Sequence, residues 1–106
     1  MELVVGDVEG RNVLLLDDII DSGTTLVKAG ESVKNLGAQK LFCYGTHGIF
    51  SEGTEKLLDT FDIVMSSNTH NKKRDGVEII DVSPLFAEAI YRAHKGLSIT
   101  ELFDKI

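Results

Sequence analysis

Apolar residues fall along this chain in two rhythms. Short apolar stretches, Leu3–Val5, Val13–Leu16 and Lys40–Tyr44 (apolar from Leu41), with Phe61–Met65 and Val77–Ile80 each interrupted by one carboxylate (Asp62 and Glu78), are bounded by turn-forming or charged residues. Runs of this length read as strands, and unbroken apolarity suits strands covered on both faces, as in a parallel sheet. Between them lie stretches with helical spacing. Leu26, Ala29, Gly30, Val33 and Leu36 define one face of a helix over about Thr25–Leu36, with Gly37 as its terminator. Ser51–Asp59 predicts a second helix, with Ser51 as cap and Leu57 and Leu58 turned inward, although Gly53 weakens it. Ser83-Pro84 opens a third, with Ser83 as N-cap and Leu85, Phe86, Ala89, Ile90 and Ala93 as its apolar face, ended by Gly96. Ser98-Ile99-Thr100-Glu101 forms a capping box for a short last helix carrying Leu102 and Phe103. Strands alternating with helices predict an α/β domain with a mostly parallel sheet flanked by helices. The first run, Leu3–Val5, is separated from Val13 by Gly6-Asp7 and Gly10-Arg11-Asn12, which predicts a hairpin-like lead-in.

Chemistry concentrates at the end of the second run, in VLLLDDIIDSGTT from Val13 to Thr25. Ligands of open α/β sheets sit outside the carboxyl ends of the strands, where these polar residues fall. Ser22-Gly23-Thr24-Thr25 at a helix start supplies small side chains, hydroxyls and unpaired amides beside a partial positive charge, a setting that favours phosphate. Gly23 permits close backbone approach and a positive φ. Ionised Asp17 and Asp18 repel polyphosphate but accept hydrogen bonds from hydroxyl groups, so the ligand expected is a sugar monophosphate, with its diol on the carboxylates. Strand-end solvation and an ordinary N-cap explain the same residues without a ligand. A receiver-type domain with an acidic Mg²⁺ pair is disfavoured, because the later strand ends read Gly45-Thr46-His47 and Asp81-Val82-Ser83 where it needs Asp and Lys. Neither a Walker loop nor GxGxxG is present.

Composition narrows the field further. A length of 106 residues with 42% hydrophobic positions fits one domain at most, and one Pro without low-complexity tracts argues against a long linker. The net charge of -6 leaves no basic stripe for nucleic acid, Lys72-Lys73-Arg74 being a short cluster of the kind found in solvated loops. An acidic protein handling anionic sugars requires Mg²⁺ as charge mediator. The one cysteine, Cys43, forms no internal disulfide, which fits a cytoplasmic location. No apolar stretch approaches the roughly 20 residues of a membrane-spanning helix. Two further strand ends, Gly45-Thr46-His47-Gly48 and Ser66-Ser67-Asn68-Thr69, are polar; His47 there reads equally as a surface residue or a site residue, and His70 and His94 as surface. Cys43 and His47 lack the partners of a zinc site.

DDIIDSGTT resembles the phosphoribosyl-diphosphate (PRPP) signature shared by type I phosphoribosyltransferases and ribose-phosphate diphosphokinases, the PRPP synthetases. GDVEGRNVLLLDD at Gly6–Asp18, THGIFSEGTEKL at Thr46–Leu57, SSNTH at Ser66–His70 and DVSPLFAEAIYRAHKG at Asp81–Gly96 are similar to successive landmarks of the synthetases and decide between the two. The resemblance implies a phosphoribosyltransferase type I-like fold, with residues 1–106 as one partial domain from the carboxyl-terminal part, incomplete without an upstream half. It implies diphosphoryl transfer from Mg·ATP to ribose 5-phosphate, releasing AMP, by a cytoplasmic homo-oligomer, commonly a hexamer. Asp17 and Asp18 would hold the ribose hydroxyls, directly or through Mg²⁺, and Asp21, Ser22, Gly23, Thr24 and Thr25 would wrap the 5-phosphate. GLSITELF, Gly96–Phe103, resembles part of a regulatory ADP/phosphate site, with Ser98, Thr100 and Phe103 as matching positions; a helix cap and a packing Phe account for them as well. ATP contacts, a metal-binding His and a mobile Lys/Arg loop are expected upstream of Met1, so no catalytic residue is expected in this chain, which alone should be inactive. The other readings are a non-catalytic regulatory homologue and a PRPP-binding phosphoribosyltransferase.

Overall fold

The alternation Leu41, Cys43 and Val64 inward, with Phe42, Tyr44 and Met65 only half-covered, is that of strands packed firmly on one side. In a computed structural model, residues 7–70 and 74–103 are described. They form β1 (Asn12–Ile20), α1 (Thr24–Asn35), β2 (Lys40–Gly48), α2 (Glu55–Thr60), β3 (Ile63–Ser67), β4 (Val77–Ile80), α3 (Ser83–Lys95) and α4 (Thr100–Phe103). The strands lie side by side in the order β1-β2-β3-β4 and every pair is parallel. The expected α/β architecture is therefore present. The strand at Leu3–Val5 with its hairpin, and Lys72 and Lys73 of the basic cluster, fall outside the described residues.

Ile20, Leu26, Val33, Leu41, Cys43, Phe50, Leu57, Phe61 and Val64 form one buried cluster between α1, α2 and the first three strands. Cys43 is wholly buried, and burial pushes its thiol up to about 11. Asp62, at the end of the second crossover, accepts the Leu41 amide at 2.8 Å and so ties the entry to β3 to the start of β2.

Three expectations need correction. Val13–Leu16 is not covered on both faces: Leu14 and Leu16 are 49% and 70% exposed, because α1 and α2 cover only the side to which Val13 and Leu15 turn. A continuous apolar run does not say what covers its second face. The second helix starts at Glu55 rather than Ser51, because Gly53 takes φ 85° and Phe50 φ 52°, which no helix accommodates. Finally, the apolar face of α3 is not buried. Phe86 and Ile90 are 55% and 69% exposed, and among the described residues α3 packs closely against no strand. The radius of gyration, 16.3 Å, accordingly exceeds the roughly 13 Å of a compact domain of this length.

Candidate functional site

The strand ladder carries the acidic pair further than the sequence suggested. Asp17 pairs with Gly45 and Ile19 with His47, so β1 runs on to Ile20 and the carboxylates stand on its last turn of pleat rather than in a loop. At the amino end of α1, Gly23 is the cap, with φ 79°, and no acidic side chain lies in the first turn. The Ser22 hydroxyl sits 3.3 Å from the Thr24 hydroxyl and accepts only a long, 3.4 Å bond from the Thr24 amide. The helix end thus keeps its first-turn donors and its positive pole for an anion. Behind it, a β-carbon on Gly23 would stand 2.9 Å from a Leu57 methyl. Glycine is required here by αL geometry and by the proximity of Leu57.

A cavity of about 180 Å³ is lined by Asp17, Asp21, Ser22, Gly23, Thr24 and Thr25, together with Ile19, Ile20 and Leu26. Of the residues expected to hold the sugar phosphate, it gathers all but Asp18. Asp17 Oδ1 accepts the Asp18 amide at 2.8 Å and Asp18 Oδ1 accepts the Ile19 amide at 2.9 Å, which fixes both side chains at the strand end. The Asp18 carboxyl is held below the usual aspartate range, first by its hydrogen bond with the Asp17 side chain, then by backbone amides, with nearby His47 adding a little. Each carboxylate retains its second oxygen for a hydroxyl or a hydrated cation. Asp21 behaves differently, since its Oδ1 accepts the Ser51 amide at 3.2 Å.

The other polar strand ends join the same edge. His47 Nδ1 lies 2.6 Å from the Thr69 hydroxyl, which also donates to the Thr46 carbonyl at 3.0 Å. Where the Thr69 proton goes to that carbonyl, the His47 tautomer that completes the pair is the one protonated at Nδ1. Asn68 binds Asp81 at 2.8 Å and Ser83 at 3.2 Å, and accepts the Val82 amide at 2.9 Å. Ser83 is therefore not the cap of α3; that position is Val82, and Asp81 Oδ1 receives the Ser83 amide instead. His94 is exposed as expected, whereas His70 is half-buried.

Ser98 and Thr100 stand apart from this edge, at the start of α4. The Ser98 hydroxyl accepts the Glu101 amide at 3.3 Å, an ordinary cap, and the Ser98 carbonyl accepts a hydrogen bond from Arg92 Nη1 at 3.0 Å. The Phe103 side chain lies outside the described residues. Sequence reasoning missed the Ser51 amide, Leu57 as the back wall of the Gly23 turn, and the His47–Thr69 pair. Only the last had a signal, two polar strand ends on one sheet edge. Among the described residues no cluster of three metal-ligating side chains occurs, and no helix is long and apolar enough to cross a membrane.

The relatives of this chain fit that picture. The phosphoribosyl synthetase-associated domain family matches residues 2–104. A ribose-phosphate pyrophosphokinase of Caldanaerobacter subterraneus subsp. tengcongensis is 38% identical over 106 residues, an alignment covering 94% of this chain and 34% of that protein. Ribose-phosphate pyrophosphokinase 1 of Saccharomyces cerevisiae is 40% identical over 114 residues, covering 97% of this chain and 26% of the yeast protein. The crystal structure of phosphoribosylpyrophosphate synthetase from Mycobacterium smegmatis superposes with a TM-score of 0.76 at 28% identity, over 87% of this chain and 33% of that one. The chain thus spans about a third of the length of such relatives. With a family match over nearly its whole length, a parallel sheet of the same fold and an intact DDIIDSGTT, this chain belongs to the phosphoribosyl synthetase-associated domain family, among the ribose-phosphate pyrophosphokinases.

Proposed function

We propose that this chain forms the ribose-5-phosphate-binding part of a ribose-phosphate diphosphokinase, which converts ATP and D-ribose 5-phosphate to AMP and 5-phospho-ribose 1-diphosphate. The observation that carries the reading is the juxtaposition of two chemistries on one strand–helix connection. Asp17 and Asp18 offer carboxylate oxygens, and a few residues on the uncapped amino end of α1 offers donors around an αL glycine. A pentose with vicinal hydroxyls at one end and a monophosphate at the other matches that order of acceptors and donors.

In this reading the second oxygens of Asp17 and Asp18 accept hydrogen bonds from the ribose hydroxyls. Ser22, Thr24 and Thr25 hold the 5-phosphate with hydroxyls and amides, and Gly23 keeps the turn that aims them. The depressed Asp18 carboxyl stays anionic through neutral pH, as an acceptor must. Two adjacent carboxylates with free oxygens also suit Mg²⁺, which takes one or two carboxylates and keeps several waters. When bound, Mg²⁺ supplies charge neutralisation for the diphosphate. Phosphoryl transfer needs positioning and neutralisation of the moving group. Asp17–Thr25 can position the acceptor sugar, and the ATP-binding and basic groups are assigned to the amino-terminal half of the enzyme, within a homo-oligomer.

Calorimetric titration tests this directly. Ribose 5-phosphate should bind more tightly than ribose or inorganic phosphate alone, and Asp17→Asn with Asp18→Asn should weaken it about tenfold or more, two charge-assisted hydrogen bonds being lost. The isolated chain should release no AMP from ATP. Equal affinity for inorganic phosphate and ribose 5-phosphate, or turnover by the isolated chain, would overturn the assignment.

A further inference from the structure

We propose that Asp21 is a positioning residue, whose carboxylate fastens the β2–α2 connection to the phosphate loop instead of touching the phosphate. Three successive amides of that connection converge on two residues of the loop. Ile49 and Phe50 both donate to the Ile20 carbonyl, at 2.9 and 3.2 Å, and Ser51 donates to Asp21 Oδ1 at 3.2 Å. The chain reaches this arrangement by placing Phe50 at φ 52°, a region that bulky L-residues avoid. Something must hold it there. The Phe50 ring is 1% exposed in the core, and its carbonyl receives the Gly53 amide at 3.0 Å and Arg74 Nη2 at 3.3 Å. The Ser51–Asp21 bond closes the same turn from its other side.

The electrostatics point the same way. A third carboxylate beside a bound phosphate dianion is repulsive, so a carboxylate already committed to an amide costs the ligand less than a free one. Asp21 also sets where Ser22 begins, and Ser22, Glu52, Gly53, Glu55, Lys56 and Leu57 line one cavity of about 240 Å³ between the two segments. Losing the latch would let the segments separate and disperse the donors of Ser22 to Thr25.

What Asp21 contributes on this account is an acceptor atom, and asparagine has one too. The ligand arm rests on the ribose-5-phosphate reading above, but the latch does not. In ¹³C,¹⁵N-labelled wild-type chain without ligand, a through-hydrogen-bond coupling should connect the Ser51 amide to the Asp21 carboxyl carbon; its absence, with Ser51 exchanging as freely as an open loop, overturns the proposal without any variant. Asp21→Ala should accelerate exchange of the Ser51 amide about tenfold or more. The same variant should weaken ribose 5-phosphate about tenfold, whereas Asp21→Asn should retain exchange protection and stay within about threefold of wild type. Asparagine as damaging as alanine with Ser51 still protected would mean that the charge itself meets ligand or cation, and would sink the latch. Failure of the wild-type chain to bind ribose 5-phosphate would refute the functional reading alone, since the Ser51 measurements would still decide the role of Asp21.

Discussion

The two ends of this sheet are built to different standards. At the β1–β2 end, the Asp21–Thr25 loop, the β2–α2 connection and α1 share one buried cluster, to which Leu57, Phe50 and Ile20 belong, with Leu57 against Gly23. At the β4–α3 end, Ile79 and Ile80 are 38% and 44% exposed, Phe86 and Ile90 more so, and polar bonds among Asn68, Asp81 and Ser83 hold the connection. The contrast shows where this stretch of chain is self-sufficient. The Asp21–Thr25 loop takes its shape from its own core, while α3 carries a hydrophobic stripe of the kind that marks a contact surface.

Substitutions can break that comparison. The largest effect should come from Gly23→Val, which adds αL strain to a collision with Leu57 and should cost roughly 2–5 kcal/mol by urea unfolding. Gly96, equally left-handed at φ 69° but with open space around it, should tolerate Ala at about 1–2 kcal/mol; equal costs would mean that Leu57 does not wall the turn. Leu57→Ala should cost about 3 kcal/mol and lower ribose 5-phosphate affinity with it. Acid should probe the β4–α3 connection through Asp81. Hydrogen bonds from the Ser83 side chain and amide, then from Asn68, hold the Asp81 carboxyl below the usual range. With its folded value depressed, Asp81 stabilises above the ordinary aspartate titration and loses that contribution as pH falls through the lower folded value. Asp81→Asn should therefore flatten the fall in urea midpoint below about pH 4. An unchanged slope would remove Asp81 from the connection's stability. Smallest of all, Ile90→Ser should shift stability by no more than about 0.5 kcal/mol, as for a surface site; a loss comparable to Leu57→Ala would show that α3 is packed after all.

The sequence made the sheet legible because β-strand runs and the Thr25–Leu36 periodicity are local signals, and both survive in the fold. The site was legible as chemistry, since acceptors and donors sit within one short segment. Long-range backbone contacts were not. Nothing in Ser51 announces that its amide will meet Asp21, and nothing in the Val13–Leu16 run says that β2 will draw the strand out to Ile20. Capping fared likewise. Ser83 has the residue type of an N-cap, yet Asn68, from another strand end, engages its hydroxyl and Val82 takes the position. The amphipathic pattern of α3 described what that helix could bury, and the fold of the described residues leaves it open.

Cys43 offers a practical dividend. It is the chain's one cysteine, has no exposed surface and titrates at about 11, so at neutral pH roughly one thiol in ten thousand is ionised. Maleimide and spin-label reagents should pass it by. The native sequence can therefore serve as a silent background, and a cysteine introduced at exposed Leu36 or Ile90 would carry a fluorophore or nitroxide alone, reporting movements of the α1 carboxyl end and of α3 separately without first deleting the wild-type thiol.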